Sequence, residues 1–177
     1  LLTDRVLETY DPCYKMAPPL REDSDREALL EGLKTGVIQA IATDHAPHTE
    51  IDKDAAFDEA PNGVVGVETA FAALYTGLVK TGKLELARLV HAMSLGPAGV
   101  LDLEHGPVRD GGAADLTILD LDATWTVRAE DFVGRSQNCP WLGQTLTGIP
   151  IMTIAGGRVL YHHPAVGTTK ATGMLAR

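Results

Sequence analysis

Hydrophobic positions fall on two different periods along this chain. Between Arg26 and Lys34, the apolar residues Ala28, Leu29, Leu30 and Leu33 recur at helical spacing. Ser24 and Glu27 stand at capping-box spacing ahead of them, and Gly36 follows as a stop. Val37–Ala42 is a short apolar run of strand length. Val67–Lys80 and the amphipathic Leu84–Met93 read as helices, with a short third helix over Pro97–Leu101. A first short helix is expected over Asp4–Thr9, stopped at Asp11-Pro12, with Tyr14–Met16 extended before Pro18-Pro19. Residues 43–66 carry Pro47, Pro61, Asn62, Gly63 and Gly66 and read as one long loop, a length that compact domains reserve mostly for function.

The pattern changes near Gly106. Ala114–Asp120 and Trp125–Val127 read as two strands. Ile149–Ala155 and Arg158–Tyr161 read as a hairpin through Gly156-Gly157. The tail from Gly167 onward reads as weakly ordered. Residues 1–105 thus alternate helix, strand, helix, a parallel α/β pattern with too few strands to close a sheet. Residues 106–177 read as a small β domain.

Composition narrows the field. The chain is 45% hydrophobic and 22% charged over 177 residues, enough to bury a core. Its formal charge of −9 argues against nucleic acid or an anionic membrane as partner. No apolar stretch approaches the ~20 residues of a membrane helix. Cys13 and Cys139 match no zinc spacing, and two free thiols in the cytoplasm are expected. The start at Leu1-Leu2-Thr3-Asp4 reads as the middle of a longer polypeptide.

The candidate chemistry gathers where the apolar run 37–42 meets Thr43-Asp44-His45-Ala46-Pro47-His48. A carboxylate at the C-terminal end of a strand can ligate a divalent metal and take a proton from metal-bound water, so Asp44 is the catalytic and metal-binding candidate. A plain helix or turn cap is the alternative. His48 is a candidate contact for an anionic substrate group, against a loop histidine bonded to backbone. His45 reads equally as a site group or a backbone-bonded histidine. Asn62-Gly63 offers backbone groups that a ligand can approach closely, or a simple turn. Arg21, His91, His162 and His163 read as structural or solvent-exposed, and Glu68 as a carboxylate at a helix start. A hydrolytic zinc site needs three or more protein ligands, and no His-x-His pair occurs here.

Three stretches carry a resemblance: Tyr14-Lys15-Met16-Ala17-Pro18-Pro19-Leu20-Arg21, Ala42-Thr43-Asp44-His45-Ala46-Pro47-His48-Thr49 and Ala60-Pro61-Asn62-Gly63-Val64-Val65-Gly66-Val67-Glu68-Thr69. Together they resemble dihydroorotase, of the bacterial type similar to that domain of the animal multifunctional pyrimidine protein. Gly112–Ile118 and Ile154–Tyr161 resemble the small β domain of the wider amidohydrolase superfamily.

The resemblance implies the C-terminal part of a metal-dependent (β/α)8 TIM barrel. Residues 1–105 would carry its last two strands and closing helices, and residues 106–177 part of a small β-sandwich-type domain. It implies a hydrolase that interconverts N-carbamoyl-L-aspartate and L-dihydroorotate in pyrimidine synthesis, using one or two Zn2+ ions to activate a hydroxide. Asp44 would bind zinc and shuttle the proton, His48 would bind the substrate carboxylate, and Asn62 and Gly63 would hold the ring through backbone groups.

Ala17 and Cys13 depart from the family pattern, which usually has a polar or basic residue and an asparagine there. The remaining family ligands lie upstream of Leu1, so the 177 residues alone are expected to be inactive. Other readings are an allantoinase- or hydantoinase-like cyclic amidohydrolase and a non-catalytic partner of aspartate transcarbamoylase. A homodimer also fits the resemblance.

Overall fold

The computed structural model describes residues 1–104 and 106–163. The tail from Gly167 lies outside them. Helix α1 is Asp23–Thr35. It starts earlier than the Ser24/Glu27 spacing suggests, because the Asp25 carboxylate accepts from the Glu22 N–H at 3.2 Å. Asp23 and Asp25 also favour the positive end of the helix. Gly36, at φ 82°, ends it with its N–H on the Leu33 carbonyl. Asp4–Thr9 is helical as expected, but in the tighter 3-10 form.

The segment 37–42 is not a strand, which corrects the sequence reading. A ladder needs a neighbouring strand, and none flanks this segment among the described residues. Its backbone is met by helices instead. Ile38 N–H donates to Gly32 O at 2.9 Å, Ile41 N–H to Ala92 O at 2.8 Å, and Arg88 Nη2 to Ile38 O at 2.6 Å. Gly96 makes this packing possible, since a Cβ there would sit 2.0 Å from Gln39 O. Beyond it, His45 and Val64 form one isolated parallel bridge.

The long loop contains a four-residue helix, α2, Glu50–Lys53. Its signal is a reciprocal cap: Asp52 N–H donates to Thr49 Oγ1 and Thr49 N–H to the Asp52 carboxylate, both at 3.1 Å. The expected helix 67–80 is shorter at its start and changes pitch midway. Helix α3, Ala70–Leu74, runs into a π-helical turn over Tyr75–Val79. Thr76 fixes that turn to the sheet, accepting from Thr147 N–H at 2.7 Å and donating to Thr147 O at 3.2 Å. Helices α4, Leu86–Met93, and α5, Leu95–Val100, follow close to their expected places.

Strands β1 (Leu116–Thr126), β2 (Thr145–Ala155) and β3 (Arg158–His162) form an antiparallel sheet in the order β1-β2-β3. The two strands expected over 114–127 are one. Its register shifts between Asp120 and Thr124, and the Asp120 carboxylate accepts the Asp122 and Ala123 N–H groups there at 3.0 Å. Pro150, which has no N–H, lies opposite Leu119 beside another shift. Gly156 and Gly157 both take positive φ, 54° and 76°, as the tight hairpin requires.

Two apolar clusters hold these elements. Leu30, Leu33, Tyr75, Leu84, Leu89 and Ala92 join α1, the π turn and α4. Val65, Ala72, Ala73, Val127, Cys139 and Leu146 join the loop after the bridge, α3 and the sheet. Leu89 is fully buried at the centre of the first cluster. Leu89→Ala is expected to cost about 2–5 kcal/mol, read as a lowered denaturation midpoint. A shift of a few tenths would show that the cluster is not a packed core.

Candidate active site

Asp44 lies one residue before the His45–Val64 bridge, with φ 45°. The left-handed region is uncommon for residues with a side chain, and aspartate is among the few that enter it. Asp44 is exposed, and among the described residues nothing hydrogen-bonds or ion-pairs with its carboxylate. Its polar group is therefore uncommitted within this part of the fold.

His48, Asn62 and Gly63 come together. His48 Nε2 lies 2.8 Å from Asn62 O. A carbonyl only accepts, so Nε2 carries the proton in this contact. Gly63, at φ 120°, sits against the same loop: a Cβ there would meet Ala46 Cβ at 2.5 Å and His48 Nε2 at 3.2 Å. Glycine is needed here both for the backbone angle and for the space. Ala46 N–H donates to Val64 O at 2.9 Å and zips the two loops together beside the bridge. No hydrogen bond joins Asp44 to this trio.

His45 takes the backbone-bonded reading, although it is exposed. Its Nδ1 faces the Gly66 and Val67 N–H groups at 3.2 and 3.4 Å and accepts from them. Glu68 does not serve the helix start. Its carboxylate accepts from the Val133 and Gly134 N–H groups at 2.9 and 3.0 Å and ties down that loop. Arg21 is an exposed partner of Asp25, at 3.5 Å. His91 is exposed beside Arg88. Cys13 and Cys139 are free thiols, and burial is the first cause pushing each thiol's pKa up.

Four residues beyond the sequence reading shape the site. Lys15 Nζ donates to Asp58 O at 2.9 Å and Ala60 O at 2.7 Å, while Lys15 O accepts from Gly63 N–H at 2.9 Å. Lys53 Nζ donates to Pro12 O and Pro61 O, both at 2.9 Å. Burial holds the Lys53 ammonium below the ordinary lysine range. The two ammonium groups thus tie the approach to Asn62-Gly63 onto the segment 12–15. Ser136 and Asn138 reach the same loops from the connection between β1 and β2. A lysine that caps carbonyls far along the chain leaves no periodic trace in sequence. Ser136-Gln137-Asn138 likewise has no spacing in the sequence that marks it.

A cleft of about 400 Å³ opens beside His45, His48, Glu68 and Arg135. Asp44, Asn62 and Gly63 do not line it. Among the described residues no three of His, Cys, Asp and Glu gather closely enough to hold a metal ion. Asp44 fits as one oxygen ligand, and a zinc centre needs more.

The amidohydrolase family model matches residues 16–160. The chain belongs to the amidohydrolase family. This amidohydrolase chain is 47% identical over 161 residues to a dihydroorotase of Bacillus pumilus (strain SAFR-032), covering 91% of the chain and 38% of that protein. It is 48% identical over 162 residues to a dihydroorotase of Carboxydothermus hydrogenoformans, with the same two coverages. The amidohydrolase chain thus spans 38% of the length of these curated relatives. Among solved structures it is similar to the L-hydantoinase (dihydropyrimidinase) of Arthrobacter aurescens, with a TM-score of 0.83 and 34% identity over 91% of this chain and 37% of that one. A D-hydantoinase of Thermus sp. gives a TM-score of 0.77 at 28% identity, covering 88% and 36%.

The tight packing of Gly63 on His48 yields a direct test. Gly63→Ala is expected to displace the His48 ring and destabilise the protein by about 1–3 kcal/mol. Ring resonances of His48 by NMR and a denaturation curve check both. An unmoved ring would contradict the close approach.

Proposed function

We propose that this chain is the Asp44-bearing part of a dihydroorotase, which interconverts N-carbamoyl-L-aspartate and L-dihydroorotate in pyrimidine synthesis. The observation that carries the reading is Asp44 itself: an exposed carboxylate, uncommitted among the described residues, on left-handed backbone beside a tied His48–Asn62–Gly63 cluster. Identities of 45–48% to dihydroorotases exceed the 34% and 28% to the two hydantoinases, which favours the dihydroorotase reading over a hydantoinase-like one. The carboxylate speaks against the non-catalytic reading, in which it has no task.

In ring opening, water adds to the ring amide carbonyl and the carbon–nitrogen bond breaks. Asp44 takes the proton from that water and delivers it to the departing nitrogen; in ring closure the proton moves the other way. His48 meets the substrate carboxylate, and backbone groups of Asn62 and Gly63 hold the ring. Ala17 stands where the family pattern usually has a polar or basic residue, and it has no polar side chain to offer the substrate.

Asp44 also serves as one ligand of a bound Zn2+, with the remaining ligands supplied from outside the described residues. When bound, zinc supplies Lewis-acid polarisation of the carbonyl. The same reading places the chain in a (β/α)8 barrel, with residues 1–105 as its closing part and 106–177 in a small β domain. Leu29 and Val37, 58% and 81% exposed, are apolar surface that further barrel elements would cover. The reading also places the enzyme in the cytoplasm, as a homodimer or in complex with aspartate transcarbamoylase. No helix among the described residues is long and apolar enough to cross a membrane.

In the complete enzyme, Asp44→Asn is expected to lower turnover of dihydroorotate by about 10²–10⁴-fold with the fold intact. Near-normal turnover would refute the assignment. His48→Ala should instead act mainly on the Michaelis constant. If it leaves both that constant and the rate unchanged, His48 has no substrate role.

A further inference from the structure

Asn138 is a polar hub that the proposed chemistry does not use. It lies between β1 and β2, and its residue is only 6% exposed. Its Nδ2 donates to Gly63 O at 3.0 Å and to Ala46 O at 3.4 Å. Its Oδ1 accepts from His48 N–H at 3.3 Å, and its backbone carbonyl accepts from Val65 N–H at 3.1 Å. One residue therefore bonds to both site loops, two positions on each. Ser136 supports it: its Oγ accepts from His48 N–H at 3.0 Å and lies against both His48 O and Asn138 Oδ1. A hydroxyl has one proton, so it donates to one of these two oxygens at a time.

The connection that carries them is anchored at its base. Val127 is fully buried, its N–H donates to Gln144 O, and its O accepts from Gly143 N–H, both at 2.9 Å. Cys139, 2% exposed, sits in the same apolar cluster as Val127, Leu146 and Val65. The Asn138 carboxamide is therefore held from one side by a packed base and grips the site loops from the other. A planar carboxamide offers two donors and an acceptor at fixed separation, which suits it to set the distance between two backbone segments.

We infer that Asn138, seated by Ser136, is a positioning residue for substrate binding, setting the spacing between the His48 loop and the Asn62–Gly63 turn. The inference rests on the proposed roles of His48 and Gly63. Each bond the Asn138 side chain makes outside its own segment goes to these loops and none to the sheet, so its loss should be felt locally. A buried carboxamide replaced by a methyl leaves two carbonyls short of a donor and a loosened His48 amide.

The test compares Asn138→Ala, Ser136→Ala and Ser136→Thr in the complete enzyme, with Thr126→Ala on the sheet as control. Two readouts are taken: steady-state kinetics with dihydroorotate, and amide hydrogen exchange across residues 45–49, 62–66 and 116–126. Asn138→Ala is expected to raise the Michaelis constant about ten-fold or more while kcat falls less, and to speed exchange at 45–49 and 62–66 but not in β1. Ser136→Ala should show a smaller effect of the same kind, which Ser136→Thr restores. The Thr126 control should leave the kinetics and the exchange at 45–49 and 62–66 unchanged.

A Michaelis constant within two-fold of the parent with unchanged exchange at His48 would overturn the inference. So would exchange that quickens equally in β1, which would mark a general stabilising role. If Asn138→Ala does not fold, the Ser136 pair decides by the same criteria. If the parent enzyme turns over no dihydroorotate, the proposed function falls, and the exchange data alone judge whether Asn138 holds the loops.

Discussion

Two backbone segments lie directly against each other in this protein, and the candidate site depends on that contact. Residues 44–48 and 62–66 are bridged at His45–Val64, joined by Ala46 N–H to Val64 O, and brought so close at Gly63 that a single methyl would collide with Ala46. Gly66 repeats the constraint against Thr43 O, at 3.2 Å from where its Cβ would be. With so little slack, a shift in one loop must appear in the other. The surrounding fold supplies the clamps. Lysine ammonium groups hold the outer approach, the His45 ring holds the far end, and the Glu68 carboxylate holds the neighbouring 133–134 loop.

The helices were legible because they obey a simple period. Leu30 and Leu33 of α1 face the core, and Leu89 and Ala92 of α4 do the same. The hairpin was legible because only glycine readily takes two successive positive φ values. What failed to read has equally local causes. The run 37–42 has strand composition, but a strand is defined by its neighbours, and here helices take its hydrogen bonds. The break between two expected strands was one strand whose bulge is satisfied by the Asp120 side chain. The π turn depends on Thr76 meeting Thr147, a contact 71 residues apart in the chain.

The candidate site divides the same way. Asp44, His48, Asn62 and Gly63 stand in short motifs whose residue types announce chemistry. Ser136, Asn138, Lys15 and Lys53 do their work through backbone carbonyls and amides of distant residues, and such bonds have no spacing rule to read. The supporting groups of a site are thus harder to find in sequence than the groups they support.

The contact between His48 Nε2 and the Asn62 carbonyl has a further consequence. While it holds, only Nδ1 remains to greet an incoming molecule. A neutral ring offers a lone pair there, which repels a carboxylate and accepts from an N–H or O–H group. A group that only accepts must instead compete with the Asn62 carbonyl for the Nε2 proton, so the loop carbonyl itself sets which kind of molecule the ring can meet without giving up its own contact.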